Sequence, residues 1–259
     1  QALPKLVIEE NGEKTPFIIS LMNLKGGCGK TTIASHLAIL LAKLEFKVLL
    51  IDCDHQNQCR FFFPDQEYDY SIKNVLSDEC STEEAIYKPE TDFDIDIIYS
   101  DYSLALFAAD LKDEEMMLKI IDPVKQNYDF IIFDTSPNFD IINRNVAKAS
   151  THIAIPIIPT KLHIEGLGHN IIGLEQIAKI PMDRILGVIP NIVKEKAAQH
   201  RAYLELLKEE YESVYNVHIP EDINLPKVND FRINIFEYRE KSKSSQALKK
   251  FTWETLRRL

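Results

Sequence analysis

Glycine is scarce in this chain, 8 of 259 residues, and 12 prolines add little to it, which excludes a collagen-like repeat or a low-complexity coil. Cysteine is scarcer: Cys28, Cys53, Cys59 and Cys80 show no paired metal-ligand spacing, and reduced thiols are the expected state. Apolar runs stop at about five or six residues (Ala38 to Ala42 is one), far below the roughly 20 that a membrane-spanning helix needs. No signal peptide opens the chain, so a soluble, cytoplasmic protein is expected. Positive charge is also short, 30 Lys and Arg against 40 Asp and Glu, and a net charge of −10 argues against a constitutive nucleic-acid coat.

What is present is a globular composition, 45% hydrophobic and 27% charged, in a length that allows one or two domains. Charge is unevenly spread. Residues 61–120 carry sixteen Asp/Glu against four Lys, a solvated face or a partner's docking face. Residues 227–259 carry nine Lys/Arg against four acids, so a local basic patch survives on an acidic protein. Residues 1–16 read as a polar N-terminal extension with a turn at Asn11-Gly12, and 17–259 as a single domain. Candidate strands are Phe17–Asn23, Lys47–Asp52, Asp94–Tyr99, Asp129–Asp134, His152–Pro159 and Arg184–Asn191. Most are solid apolar runs, as in strands buried on both faces. Helical patterns fall between and after them, near 31–44, 102–110, 113–126, 139–149, 164–179, 197–212 and 244–258. Such alternation predicts an α/β fold, a mostly parallel twisted sheet with helices on both faces.

The first strand runs into Asn23-Leu24-Lys25-Gly26-Gly27-Cys28-Gly29-Lys30-Thr31-Thr32 and then a helix. Glycines let backbone N–H groups approach phosphate oxygens, and a helix N-terminus adds favourable partial charge. In this arrangement Lys30 reaches the β/γ-phosphates of a nucleotide and the Thr31 hydroxyl holds Mg²⁺. Leu24 stands where the usual phosphate-loop pattern has its first glycine. The second strand ends Asp52-Cys53-Asp54-His55-Gln56, with two carboxylates at the C-terminal end where α/β ligands bind. The strand ending Phe133-Asp134-Thr135-Ser136-Pro137 brings Asp134 to the same end, where a buried carboxylate calls for a cation. Gly166-Leu167-Gly168 lacks the third glycine of a dinucleotide fingerprint. His163-x-Glu165 lacks the Pro-Cys-x-x-Cys of a zinc deaminase.

Lys-Gly-Gly-x-Gly-Lys-Thr-Thr resembles the deviant Walker A motif of the ParA/MinD group of P-loop ATPases, and residues 17–259 look closest to short, Soj-like ParA proteins. The resemblance implies ATP and Mg²⁺ as ligands, with Lys25, Gly26, Gly27, Cys28, Gly29, Lys30, Thr31 and Thr32 on the nucleotide. It implies that Lys25 crosses to the partner's phosphates in a nucleotide-sandwich homodimer. Asp52 resembles a residue supporting the Mg²⁺ shell, Asp54 one that orients the attacking water, and Asp134 the Walker B carboxylate. His55 departs from the family's proline. Glu165-Gly166-Leu167 resembles the start of a helix that helps form the dimer. Asn191 resembles an adenine contact, and the stretch around Pro226 to Asn229 a source of backbone contacts to the base. The basic end is similar to partition ATPases that bind duplex DNA without sequence preference in the ATP state, with Arg232, Arg239, Lys241, Lys243 and Lys250 as the candidates. A ParB-like or cargo-adaptor protein would stimulate hydrolysis, and the protein would sit on the nucleoid.

Two rivals share this chemistry. Leu248, Phe251, Leu256 and Leu259, with Trp253 and flanking Lys and Arg, would suit a MinD-like membrane-surface helix. A nitrogenase-iron-protein type reductase would need a cysteine pair aimed at a cluster, and no such pair stands out. No helix-turn-helix precedes the phosphate loop, so no operator reading is expected.

Overall fold

The computed structural model describes residues 9–10 and 13–259. The expected turn at Asn11-Gly12 lies outside the described residues; Glu9–Glu10 and Glu13–Lys14 on either side of it pair antiparallel. The core is a six-stranded sheet of β1 (Phe17–Leu21), β2 (Val48–Cys53), β3 (Ile95–Ile98), β4 (Phe130–Thr135), β5 (His152–Ile157) and β6 (Ile185–Pro190). All neighbours are parallel, in the order β3-β2-β4-β1-β5-β6. This is the fold class expected from the alternating pattern.

Every residue of β1, β2 and β4 is buried, because side chains of alternate parity leave on opposite faces and both faces are covered. Phe17, Ile19, Leu21, Leu50 and Ile132 pack under α1 (Lys30–Lys43) and α10 (Lys243–Arg258). Ile18, Leu49, Ile51, Ile131 and Phe133 pack under α2 (Ile72–Leu76), α3 (Ser103–Asp110), α4 (Met116–Ile121) and α5 (Ile141–Ala149). Ile155 and Ile157 meet α6 (Lys161–Ile172) and α7 (Ala198–Glu210).

The helix expected over 113–126 is broken: α4 ends at Ile121 and a 3₁₀ turn follows at Lys125–Asn127, with Pro123, which has no N–H to continue the ladder, between them. The helix expected from 164 starts earlier, after Thr160, and ends at Ile172 in a single π turn over Gly173–Ile177. Short helices α2, α8 (Leu225–Phe231) and α9 (Ile235–Tyr238) carry too few turns to show a period.

The β6 edge is sealed by the C-terminal part of the chain. A bulge shifts the β5–β6 register at Gly187, whose φ of +150° only glycine adopts easily. Val188 pairs with Val214, and its carbonyl accepts the Tyr215 N–H at 2.9 Å. Arg258 closes the corner: its guanidinium donates to the carbonyls of Leu186, Ser213 and Val214 and lies over the Tyr215 ring, 4.0 Å from its centroid.

Candidate nucleotide site and basic groove

Residues 22–29 link β1 to α1 as a loop whose tip, Gly26 and Gly27, is exposed. Gly27 (φ +74°) and Gly29 (φ +86°) are left-handed, and a Cβ on Gly29 would stand 2.3 Å from Asn191 Nδ2. No side chain caps α1 and no acid occupies its first turn, so its first N–H groups remain available to an anion. Lys30 is almost wholly buried at the start of that helix. The Cys28 thiol is buried, donates to the Lys25 carbonyl at 3.3 Å, and has its pKa pushed up chiefly by burial. Thr31 and Thr32 follow on the first turn of α1. Asn191, after β6, donates from Nδ2 to the Cys28 carbonyl at 2.8 Å. That side chain therefore braces the loop.

Three carboxylates converge at the C-terminal ends of β2 and β4. Asp52 and Asp134 are direct register partners, and both are fully buried. Asp52 accepts the Asp54 N–H on Oδ1 (2.9 Å) and the Cys59 N–H on Oδ2 (3.2 Å), which shapes the turn between them. Burial, then the charge of Asp134, holds the Asp52 pKa well above the carboxylate range. Asp134 is raised for the same first reason, opposed by the Thr31 hydroxyl and the Lys30 charge. Its Oδ1 is buried with no partner. Two buried like charges and an orphaned oxygen fit a hard cation held by oxygen ligands, with the Thr31 hydroxyl as a further donor. Asp54 is the one member with an outlet to solvent, 8% exposed; its Oδ1 accepts the Gln56 N–H and lies 3.7 Å from His55 Nδ1.

Three neighbours of this site were not legible as site residues. Cys59 sits on a 3₁₀ turn with its thiol 3.6 Å from Asp134 Oδ2 and 3.6 Å from Ser35 Oγ, and its sulfur clusters with Asp52 and Asp134. Asn170 of α6 is bonded into the loop at Asn23 and Leu24. His36 of α1 is fully buried; its Nδ1–H donates to the Thr32 carbonyl (2.7 Å) and its Nε2 accepts the Ile235 N–H (3.1 Å). Each acts across the fold on a partner 75, 146 or 199 residues away, and no spacing signal marks such pairs.

The basic candidates do not form one set. Lys241, Lys243 and Lys250 line a single groove between α10 and residues 216–220, together with Arg257, which sequence reading left out. Arg239 joins Lys241 in an adjoining groove. Arg232 stands apart, ion-paired with Asp65 beside Glu90, Asp92 and Glu237. Lys243 is partly neutralised by Glu195 at 2.6 Å. The face that would have met a membrane is occupied: Leu248, Phe251 and Leu256 are buried against α1 and the sheet. Among the described residues, no helix is long and apolar enough to cross a membrane.

A parallel sheet, a glycine loop opening into α1, and carboxylates at the tips of β2 and β4 define a P-loop nucleotide-binding protein. Residues 17–185 match the family described as AAA domain, AAA_31. An uncharacterised protein of Methanocaldococcus jannaschii is 32% identical, over 89% of this chain and 94% of the relative. The sporulation initiation inhibitor protein Soj of Bacillus subtilis is 26% identical, over 88% of this chain and 94% of Soj. A Borrelia burgdorferi B31 structure, assigned as a plasmid partition protein and bound to AMPPNP, superposes with a TM-score of 0.82 at 24% identity, covering 94% of this chain and all of that one. Cobyrinic acid a,c-diamide synthase from Mycobacterium smegmatis, with ATP analog and magnesium, gives 0.79 at 21% identity, covering 93% and 95%. The chain belongs to this family and is a P-loop ATPase of the ParA/MinD type.

Proposed function

We propose that residues 17–259 form one ATPase domain that binds and hydrolyses Mg-ATP, pairs with a second copy in the ATP state, and then binds duplex DNA without sequence preference. Such a cycle would partition plasmid or chromosomal DNA, or another cargo, under control of a stimulating ParB-like or adaptor protein, on the nucleoid in the cytoplasm. The observation that carries the reading is the convergence of Lys30, Thr31, Asp52, Asp54 and Asp134 on one end of the sheet.

Mg²⁺, held by the Thr31 hydroxyl and Asp134 with Asp52 behind, would neutralise phosphate charge. The chain's own groups do the rest by positioning and electrostatics. The open N–H groups of Gly26 to Thr32 cradle the phosphates. Lys30 sits under the β/γ oxygens, and Lys25 supplies a second positive charge across the dimer. Asp54, the carboxylate in reach of solvent, orients the attacking water. Asn191 keeps the loop in shape, and on the family resemblance it would contact the adenine as well. For DNA, Lys241, Lys243 and Lys250, with Arg239 and Arg257, neutralise backbone phosphates, and a dimer doubles the patch. Arg232 lies outside that groove, in a separate pocket with Glu90, Asp92 and Glu237, and is left out of this set.

A titration of random-sequence duplex DNA in Mg-ATP, Mg-ADP and no nucleotide, at two salt concentrations, tests the reading. Binding confined to Mg-ATP and weakened by salt is expected. Absence of binding in every state at low salt would end the DNA part and leave the ATPase.

A further inference from the structure

Asp52 and Asp134 share the strand parity of Leu50 and Ile132, so their side chains leave the sheet on the face that α1 covers. On α1, Thr31 and Ser35 stand one turn apart; Thr31 reaches Asp134 and Ser35 reaches Cys59. Cys59 closes the far side of this polar pocket. Its N–H donates to Asp52 Oδ2, which opens the 3₁₀ turn at Cys59–Phe62 and holds the thiol beneath the helix. The thiol is fully buried, 3.6 Å from Asp134 Oδ2. One donor atom from each of Asp52, Cys59 and Asp134 lies within 4.8 Å of the other two, the one such group of three among the described residues. The second Asp134 oxygen is buried there without a partner.

Two oxygens and a sulfur make a softer donor set than Mg²⁺ selects. Tetrahedral Zn²⁺, about 2.3 Å from sulfur and about 2.0 Å from oxygen, sets those two ligands about 3.5 Å apart. The Cys59 thiol and Asp134 already stand at that spacing. A divalent cation would also offset the repulsion between two buried carboxylates, which a thiol hydrogen bond does only in part. Cys53 leaves its strand on the opposite face, and Cys28 donates to the Lys25 carbonyl, so neither adds to the set.

We propose that Asp52, Cys59 and Asp134 form a site for a thiophilic divalent cation such as Zn²⁺ in the nucleotide-free protein. The thiol proton leaves to water as the metal–sulfur bond forms, and the fourth position goes to water or to the Thr31 hydroxyl. Asp54, which reaches solvent beside the two buried carboxylates, marks the way in. The ion takes Asp134 from Mg²⁺ and so opposes Mg-ATP. That consequence rests on the ATPase reading above; the site itself does not.

The test is a titration of metal-free, nucleotide-free protein with Co²⁺ and with Cd²⁺, followed by thiolate-to-metal charge-transfer absorption, which reports a metal–sulfur bond. One equivalent per chain should saturate the band, and Zn²⁺ should displace Co²⁺ and bleach its spectrum. Cys59→Ser and Cys59→Ala, each checked for its fold by circular dichroism, should abolish the band. Cys80→Ser, at the half-exposed thiol, should leave it intact. Asp52→Asn should weaken Co²⁺ binding at least about tenfold. In a phosphate-release assay at fixed Mg-ATP, Zn²⁺ should inhibit wild type at a concentration at least about tenfold below that needed for Cys59→Ser, each protein compared with its own zinc-free rate. No band at equilibrium, or a band that survives in a folded Cys59 variant, overturns the site. A band without zinc inhibition overturns the competition with Mg-ATP. A protein that turns over no ATP removes the ATPase reading and that competition, while the spectrum still judges the site.

Discussion

Asp134 carries a cost that its neighbours only partly offset. It shares a buried site with Asp52, its pKa is raised by burial, and one of its oxygens has no partner. Asp134→Asn should therefore melt higher than wild type in metal-free buffer, by about 1 kcal/mol or more, and lose at least about 100-fold in ATP turnover. Thermal unfolding in EDTA and a phosphate-release assay check the two halves, and a lower melting point would refute the strain. His36 makes a pH prediction. Burial lowers its pKa from 6.5 to about 4, against the opposing pull of the Thr32 carbonyl. Below pH 6.5 the unfolded chain takes up this proton while the folded protein does not, so stability falls as pH drops toward 4. The loss reaches roughly 3 kcal/mol. His36→Gln should flatten that part of a urea-midpoint profile between pH 7 and 4.5. Protonation would also set an N–H against the Ile235 N–H, so the junction of α9 with α1 should be the first to exchange its amides.

At the level of elements, the sheet strands were readable because solid runs such as Leu49-Leu50-Ile51 and Ile131-Ile132-Phe133 have both faces covered. The helices that follow them were readable where three or more turns repeat. The break at Pro123, the π turn after Ile172 and the five-residue α2 escaped because local pattern holds only over longer stretches. The same division runs through the site. The glycine loop, Asp54 and Asp134 lie in contiguous motifs. Cys59, Asn170 and His36 earn their places by contacts that exist only once the chain is folded. The C-terminal helix shows how one pattern has two physical outcomes: its apolar stripe fits a lipid surface or a protein core, and here Phe251 is fully buried beside Tyr215, ring centroids 5.1 Å apart. Phe251→Ala should cost about 3–5 kcal/mol and lower the denaturant midpoint, with anionic vesicles giving no protection.

On the scale of the whole molecule, an acidic chain carries a basic groove at one end. Lys250→Glu, at its rim, should leave melting temperature and ATP turnover near wild type while weakening ATP-state DNA binding at least about tenfold and flattening its salt dependence. Arg232→Glu should break the pair with Asp65 and leave DNA affinity within about twofold. Gel-shift titrations at two salt concentrations compare the two variants, and an equal loss in both would merge what the geometry separates.

The corner where Arg258 meets Gly187 also has a history in time. A ribosome makes β6 long before it makes Arg258, which lies 72 residues beyond its β6 partner Leu186. Until residues 213–219 and then that arginine emerge, the β6 edge presents unpaired peptide groups to any passing strand. The interval between synthesis of β6 and of the last turn of α10 is thus the period in which a newborn chain is most exposed to mispairing. A translational pause there would raise aggregation without altering one residue of the finished protein.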